Sequence, residues 1–420
     1  MSYPQDINFD MGLPITDLPQ TNNCIIKVIG VGGGGGNAVN HMYREGIHDV
    51  SYVVCNTDKK ALDDAAVPNH LQLGNDGLGA GNRPEKARQA AEESMDDIKE
   101  MLNDGTRMVF ITAGMGGGTG TGAAPIIAKC AKEAGILTVG IVTIPFKFEG
   151  IKKINQALDG VEEISKHVDA LLVINNERLR EIYPELTVIN AFAKADDTLT
   201  VAAKSIAEII TMHGIMNLDF EDVTTVLKDG GVAIMSTGYG DGEGRVTKAL
   251  TEALTSPLLN HNDIFNSKKV LLNINFCADD DHCSLMMEEM NEIHEFMGKF
   301  RHDVETKWGL ATDSTLGDKV KITLLATGFG LQSINGMSSH QEEKKRNLSA
   351  EDKERMANRE DMINIYYRDG TKTSKHRHNN IFIYSADNMD NDDIISHVDA
   401  NPTCRRTKED LNRLKNEQAG

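Results

Sequence analysis

Long apolar stretches are missing from this sequence of 420 residues. No run approaches the roughly 20 apolar residues that a membrane-spanning helix needs. The N-terminus, MSYPQDINFD, has neither a basic region nor an apolar core, so it lacks the pattern of a secretory signal. The sequence therefore predicts a soluble, cytoplasmic protein without direct membrane insertion.

Cysteine and basic residues are both scarce. The six cysteines form no CxxC pair, which argues against a disulfide framework and a zinc ribbon. Cys277, His282 and Cys283 lie close in sequence, but no second ligand pair follows them. The sequence therefore identifies no residues as metal ligands. Lys and Arg number 44 against 63 Asp and Glu, a net charge of −19. So acidic a chain is repelled by phosphate backbones, which excludes nucleic acid as a main partner.

What is present is a globular composition, with 40% hydrophobic residues and 38 glycines. Changes in composition and hydrophobic pattern along the chain predict six segments. They are a flexible N-terminal arm (1–23), a first domain (24–186), a central helix (187–213), a second domain (214–330), a disordered linker (331–385) and a C-terminal tail (386–420).

The predicted fold class is α/β. In the first domain, continuous apolar runs such as 25–31, 50–55 and 108–113 alternate with amphipathic helical patterns, one of them a single helix over 84–102. Buried strands between helices predict a parallel sheet covered on both faces. A second, smaller α/β unit follows, with a helix over 285–300 and a strand over 302–308 among its elements.

One long helix is predicted between residues 188 and 213. Its apolar residues recur at steps of three and four over about seven turns. They are Phe192, Ala195, Leu199, Ala202, Ile206 and Ile209. This length is typical of a strut that joins two domains, although a core helix of a single domain is an alternative.

The first chemical signal is the glycine run over 30–36, followed by Asn37, between a predicted strand and a predicted helix. Amides without a Cβ nearby can approach phosphate groups closely. The run also satisfies the GxGxxG pattern, and Asp58 follows the next strand, where a dinucleotide site would place its ribose acid. An NAD-dependent oxidoreductase is therefore an alternative function for the protein. Another alternative is that the glycine run binds no ligand and only allows the helix to pack closely on the strand.

The second signal is GMGGGTGTG over 114–122, again between a strand and a helix. Two such loops can enclose one polyphosphate from two sides, with the hydroxyls of Thr119 and Thr121 in place of the usual lysine. The sequence contains no GxxxxGK[ST] stretch, which excludes a P-loop NTPase.

These motifs resemble the tubulin and FtsZ family of GTPases. Matching stretches include GGGTGTG over 116–122, CNTD over 55–58, GLGAGNRPE over 77–85, PFKFEG over 145–150 and MNLDFEDV over 216–223. The resemblance implies a Rossmann-like parallel-sheet GTPase domain, a long central helix and a smaller α/β second domain of the tubulin/FtsZ type. It implies GTP and GDP as ligands, with Mg²⁺ on the phosphates.

The resemblance also implies nucleotide-binding residues. Backbone groups would come from Gly33, Gly34, Gly35, Gly36, Asn37, Gly118, Thr119 and Gly120, and the loop that responds to the γ-phosphate from Gly79, Ala80 and Gly81. Glu149 would accept from the ribose hydroxyls, Asn176 and Phe192 would lie around ribose and base, and Asp196 would select guanine. Lys153 stands where the family has an arginine, and it would meet phosphate as a point charge.

Catalysis would depend on Asn217, Asp219 and Asp222, because in the family this loop enters the nucleotide site of the neighbouring subunit. Asp219 and Asp222 would position the attacking water, and Asn217 would orient the phosphate end. Without the resemblance, two acids at this spacing indicate a helix N-terminus stabilised by its dipole.

The resemblance implies an assembling GTPase that forms head-to-tail filaments and the cytokinetic ring at midcell in bacteria. Hydrolysis would weaken the contact between subunits. Membrane-anchoring division adaptors would bind the tail, where the closest match to the family peptide is DDIISHVDANPTCRR over 392–406. This stretch lacks the usual aromatic residue or Leu before the arginine. A relative that assembles without hydrolysis is a further alternative.

Overall fold

The computed structural model describes residues 24–47, 49–212, 214–255, 264–278, 283–301 and 303–329. The predicted arm (1–23), linker (331–385) and tail (386–420) lie outside these residues. Within them, the model contains no helix that is both long and apolar enough to cross a membrane.

Eleven strands of the described residues form one sheet, in the order β3-β2-β1-β4-β5-β6-β8-β11-β9-β10-β7. The strands are β1 (Ile26–Val31), β2 (Val50–Asn56), β3 (His70–Gln72), β4 (Met108–Gly114), β5 (Leu137–Ile144), β6 (Ala170–Asn175), β7 (Gly214–Met216), β8 (Gly231–Gly240), β9 (Lys269–Phe276), β10 (Glu305–Thr312) and β11 (Val320–Phe329). From β3 to β6 all neighbours are parallel. The predicted parallel sheet is thereby confirmed.

Eleven helices of the described residues connect and cover the strands. They are α1 (Gly32–Glu45), α2 (Lys59–Asp63), α3 (Pro84–Glu93), α4 (Met95–Leu102), α5 (Thr119–Glu133), α6 (Ile151–Ser165), α7 (Asn176–Ile182), α8 (Val188–Thr211), α9 (Phe220–Leu227), α10 (Arg245–Thr255) and α11 (Met290–Met297). Strands β1, β4, β5 and β6 are almost entirely buried, because helices cover both faces of the sheet.

The single helix predicted over 84–102 is wrong, because two helices, α3 and α4, meet at Ser94. The hydroxyl of Ser94 accepts a hydrogen bond from the backbone N–H of Gly74 at 2.9 Å. The backbone of Ser94, with φ −97° and ψ 22°, leaves the helical region, and serine is a residue that favours helix ends over helix interiors. The partner lies 20 residues away, so the helical periodicity does not reveal the break.

The long helix is present as α8, which has 24 residues. Thr187 caps its N-terminus by accepting from the N–H of Asn190 at 3.3 Å. Its buried face includes Leu199, Ala202 and Ile206, which belong to the same apolar cluster as residues of α1 and β5. Burial of this face holds α8 along the sheet. The apolar residues whose spacing predicted the helix are therefore the residues that pack against the sheet.

The second part of the sheet is mixed rather than parallel. Strand β11 pairs antiparallel with β8 and β9, β10 runs parallel to β9, and β7 pairs antiparallel with β10. It continues from the first part through two residue pairs of β6 and β8. The bounds differ from those predicted, since α11 covers Met290–Met297 instead of 285–300 and β10 begins at Glu305 instead of 302. The predicted domain boundaries stay a prediction.

Two glycines of α1 allow a matched test of packing. A Cβ on Gly35 would lie 2.2 Å from the carbonyl oxygen of Thr112 in β4, whereas a Cβ on Gly33 would meet no atom within 4 Å. We therefore expect Gly35→Ala to lower the free energy of unfolding by about 1–3 kcal/mol through overpacking. We expect Gly33→Ala to be neutral or to raise it by up to about 1 kcal/mol through helix propensity. Denaturant unfolding without nucleotide measures both, and equal effects would contradict this assignment.

Candidate functional site

A cleft of about 430 Å³ lies at the carboxyl ends of the parallel strands β1, β4, β5 and β6. Its lining includes Gly33, Gly34, Asn37, Gly118, Thr119, Gly120, Glu149, Lys153, Asn176, Phe192 and Asp196. All of these residues were predicted from the sequence to bind one nucleotide. The carboxyl edge of a parallel sheet is the usual place for a ligand in such folds.

The first glycine run divides into two sets. Gly33, Gly34 and Asn37 are exposed in the cleft, at the N-terminus of α1, where no side chain caps the helix. Free amides at a helix N-terminus favour an anion. Gly35 and Gly36 are buried against the sheet and do not line the cleft, so the packing interpretation of a glycine run describes these two positions.

The second glycine loop joins β4 to α5 and is held from inside. The sequence predicts that the hydroxyl of Thr121 faces the polyphosphate, but Thr121 does not line the cleft. Its buried hydroxyl instead accepts from the N–H of Gly116 at 2.9 Å. Thr119 does line the cleft, and its hydroxyl lies 2.8 Å from that of Thr57. The side-chain amide of Gln156 donates to the carbonyls of Gly116 and Gly117. Sequence reasoning missed Gln156, because its partners lie about 40 residues away.

The loop over 77–81 lies behind this glycine loop. Gly79, Ala80 and Gly81 are not part of the cleft lining, but Gly79 and Ala80 line a neighbouring cavity of about 120 Å³ together with Thr57. Ala80 is buried, and its Cβ would lie 2.8 Å from a Cβ on Gly118. The loop therefore packs so closely on Gly118 that no side chain fits at that position.

Glu149 and Lys153 form an ion pair on one wall of the cleft, with Oε2 and Nζ 2.5 Å apart. The other carboxylate oxygen of Glu149 accepts from the N–H of Phe146 at 2.8 Å. The turn over 146–149, which carries Glu149, is also held by Glu177, a residue that sequence reasoning missed. The buried carboxylate of Glu177 accepts from the N–H of Lys147 at 3.0 Å and from Arg180.

Phe192 forms an aromatic edge of the cleft. Its ring packs edge to face against Phe146, with centroids 5.1 Å apart, and Phe146 stacks on Phe148 at 5.0 Å. Phe192 is 41% exposed and lines the cleft, so part of its ring is accessible to a ligand there.

Two polar groups in the cleft lack the surroundings that they prefer. Burial raises the pKa of Asp196 to about 6, although His41 opposes the shift. The side-chain oxygen of Asn176 is buried and has no hydrogen-bond partner within the structure. Buried polar atoms are normally satisfied, so an orphaned acceptor that lines a cleft indicates that a ligand belongs there.

Asp58 does not support the dinucleotide interpretation. It caps α2 by accepting from the N–H of Lys60 at 3.0 Å and does not line the cleft. Across the described residues, no group of three or more His, Cys, Asp or Glu side chains could hold a metal ion. His282 of the sequence cluster lies outside those residues.

None of the three predicted catalytic residues lines the cleft: Asn217 and Asp219 lie between β7 and α9, and Asp222 lies in the first turn of α9. Asp219 caps α9 by accepting from the N–H of Asp222 at 2.9 Å, and Asp222 accepts in return from the N–H of Asp219 at 3.3 Å. Asn217 accepts from the N–H of Gly214 at 2.5 Å. In a single chain the acids therefore form the helix N-terminus that their spacing indicates.

The fold and the cleft together define a class, a nucleotide-binding α/β protein with two glycine loops in place of a P-loop. Known families match the chain in three segments. Models described as "Tubulin/FtsZ family, GTPase domain", "FtsZ family, C-terminal domain" and "FtsZ, C-terminal" match residues 25–184, 231–330 and 376–420.

Individual relatives agree with these models. Cell division protein FtsZ of Porphyromonas gingivalis is 53% identical over 417 residues, which cover 97% of this chain and 89% of that protein. Its counterpart in Buchnera aphidicola subsp. Schizaphis graminum is 45% identical over 323 residues, 76% of this chain and 83% of that protein. A solved FtsZ dimer of M. jannaschii is 38% identical with a TM-score of 0.66, covering 72% of this chain and 88% of its own.

The chain therefore belongs to the FtsZ family of polymerising GTPases that act in cell division. This membership excludes the NAD-dependent oxidoreductase.

Asp196 gives the first test of the cleft's electrostatics. Because its folded pKa lies near 6 instead of 3.8, the folded state loses stability relative to the unfolded state as the pH rises between these values. Asp196→Asn should remove that loss. After allowance for partial exposure, we expect it to stabilise the nucleotide-free protein by about 1–2 kcal/mol at pH 7 and by less than half as much at pH 4.5. Denaturant unfolding measures this, and a gain that does not vary with pH would disprove it.

Proposed function

We propose that the cleft binds GTP and that its hydrolysis is completed by Asn217, Asp219 and Asp222 of a neighbouring subunit. One observation carries this proposal. Asp196 lines the cleft on the first half of α8, whereas the acidic loop follows the end of the same helix at Thr211. The intervening 15 residues of helix span about 22 Å. The loop then follows β7, the last strand of the sheet, which lies five strand positions away from β6 at the cleft.

Each part of the cleft matches one part of GTP. The amides at the N-terminus of α1 and the loop around Thr119 provide donors for the phosphates. Glu149 provides acceptors for the ribose hydroxyls, and Phe192 an aromatic face for the base. An ionised Asp196 can accept from two adjacent N–H donors of guanine, which adenine does not present.

The remaining predicted contacts have supporting geometry. Lys153 lies on the wall of the cleft and can exchange its bond to Glu149 for one to phosphate. The orphaned oxygen of Asn176 can accept from a ribose hydroxyl. Gly79, Ala80 and Gly81 would respond to the γ-phosphate through Gly118, whereas Gly35 and Gly36 would hold α1 close to the sheet.

We propose that Mg²⁺ accompanies the nucleotide. The carboxylates that line the cleft are Glu149, which is paired with Lys153, and Asp196, whose pKa is raised. This donor set does not form an all-protein cage, and it fits an ion held by phosphate oxygens and water. When bound, the ion would neutralise charge on the phosphates.

Hydrolysis would occur where one subunit's cleft meets the acidic loop of the next. Asp219 and Asp222 are carboxylates on a helix N-terminus, suited to orient water towards the terminal phosphate. Contacts between two different surfaces of one chain repeat without closing and produce a filament. The M. jannaschii dimer supports self-assembly. Loss of the terminal phosphate would weaken the contact and allow turnover.

The wider role follows from the family. We propose that the filaments act in the cytoplasm at the midcell division site, as part of the cytokinetic ring. The tail would bind membrane-anchoring adaptors, and the family match over 376–420 supports this assignment. The matches over 25–184 and 231–330 support a GTP-binding domain at 24–186 and a second domain at 214–330, joined by the central helix.

A mixing experiment tests hydrolysis between subunits. Asp222→Ala keeps the cleft but loses one acid, and Gly33→Glu keeps the acids but puts a carboxylate where phosphate would bind. Each variant alone should hydrolyse GTP at a small fraction of the wild-type rate. An equimolar mixture should recover about a quarter of that rate, because a quarter of random contacts join an intact cleft to an intact loop.

Co-sedimentation of the two variants is the control for this mixture. Asp222→Ala that hydrolyses GTP alone at the normal rate, or a co-sedimenting mixture without activity, would contradict hydrolysis between subunits. A wild-type protein that assembles without phosphate release would instead support the non-hydrolysing alternative.

A second prediction concerns the tail. Replacing the apolar residues Ile394, Ile395 and Val398 by Ser, and Pro402 by Ala, should abolish binding to a membrane-bound adaptor because the peptide would lose its apolar contacts. Co-sedimentation of the full chain with adaptor-bearing vesicles measures binding, and Leu348→Ser in the predicted linker is the control. Unchanged binding would exclude this peptide as the docking segment.

A further inference from the structure

Helix α9, which carries the acidic loop, is fastened by three basic side chains. Arg107, just before β4, bonds Glu221 at 2.9 Å and lies over the ring of Phe220. Lys269 of β9 donates to the carbonyl of Thr225, in the last turn of the helix, at 2.6 Å. Lys307 of β10 reaches Asp222 itself, with Nζ 2.9 Å from Oδ1.

The bond from Lys307 differs from the other two because it acts on a proposed reacting group. Asp222 uses Oδ1 for Lys307 and Oδ2 for the N–H of Asp219, so both of its carboxylate oxygens are engaged. Lys307 stands on a strand that pairs with β9 on one side and β7 on the other. Its backbone is thereby fixed, and the direction of the Asp222 carboxylate is fixed with it.

We propose that Lys307 is a positioning residue for GTP hydrolysis, which holds Asp222 as an oriented, ionised carboxylate where it enters the cleft of the next subunit. The inference rests on the proposed function of Asp222. Lys307 acts through that carboxylate and is not itself assigned a contact with GTP.

The bond from Lys307 affects the charge state of Asp222. The hydrogen bond from Lys307 is the largest cause that lowers the pKa of Asp222, and the cap with Asp219 adds to it. In a subunit contact, a polyphosphate and the loss of water would both raise the pKa of Asp222. Lys307 opposes that rise and keeps the carboxylate able to accept a hydrogen bond from water.

Other charged groups around α9 are committed to other partners. Glu221 pairs with Arg107, Lys269 contacts backbone carbonyls, and Lys321 of β11 pairs with Glu208 of α8 at 2.9 Å. The hydrogen bond with Asp222 is the main cause that raises the pKa of Lys307, and Glu305 and Asp219 add negative charge near it, so the lysine stays protonated. The titration of Asp222 therefore depends chiefly on Lys307.

The test compares kcat per assembled subunit at saturating GTP and Mg²⁺ between pH 6 and pH 8. Saturation removes the effect of Asp196 on binding, and sedimentation at each pH measures the assembled fraction. The variants are Lys307→Met, Lys307→Arg and Asp222→Asn. Lys269→Met is the matched control, since it removes one lysine and one contact to α9 without touching Asp222.

We expect Lys307→Met to lower kcat, because the Asp222 carboxylate loses the bond that orients it, and to lower it more at pH 6 than at pH 8. The additional loss at pH 6 approaches about tenfold for each unit by which the pKa of Asp222 rises, where that pKa exceeds the assay pH in the subunit contact. Lys307→Arg should restore most of the rate, and Lys269→Met should leave the shape of the pH profile unchanged. If Asp222→Asn is inactive, a Lys307→Met variant that keeps the wild-type profile, or that loses the same fraction of kcat at every pH, would overturn the role of Lys307 and leave the proposed function standing. An active Asp222→Asn would overturn the proposed function as well.

Discussion

The length of helix α8 is the constraint on which the rest of this structure depends. Its buried face holds it along the sheet, and its 24 residues keep its two ends about 36 Å apart. The nucleotide cleft includes residues at one end, and the acidic loop follows the other. In the proposed mechanism, one chain cannot bring the cleft and the acidic loop together by itself. A second copy would do so, and the need for that copy would couple hydrolysis to assembly.

The two ends of α8 are built on different principles. The cleft presents the backbone groups of two glycine loops together with a few polar side chains. Contacts from the buried Thr121 and Glu177 and from the partly buried Gln156 hold its walls. Such preorganised donors suit a polyphosphate, whose charge is spread over many oxygens. The acidic loop carries charged side chains that Arg107 and Lys307 bond, and Lys269 bonds a backbone carbonyl of the helix behind it. In the proposed mechanism, the cleft would bind nucleotide in a single chain, whereas the acidic loop would act only in contact with the cleft of another subunit.

Much of this arrangement could be predicted from the sequence, because local patterns determine it. Continuous apolar runs gave the parallel sheet, the three- and four-residue periodicity gave α8, and the two glycine loops gave the edge where the cleft lies. The roles of single residues depended on distant partners and were harder to predict. Thr121 turns inward to Gly116, Ser94 bonds Gly74 and divides a helix, and Gly35 packs on Thr112. Nothing in the local sequence reports these partners.

The most direct test of the account is the rate of GTP hydrolysis per subunit as a function of protein concentration, with Mg²⁺ present and light scattering recorded in parallel. If the site is completed by a neighbouring subunit, the rate is near zero at low concentration and rises above a threshold, together with the scattering. A rate per subunit that does not vary with concentration would mean that one chain holds a complete site, and it would contradict the separation imposed by α8.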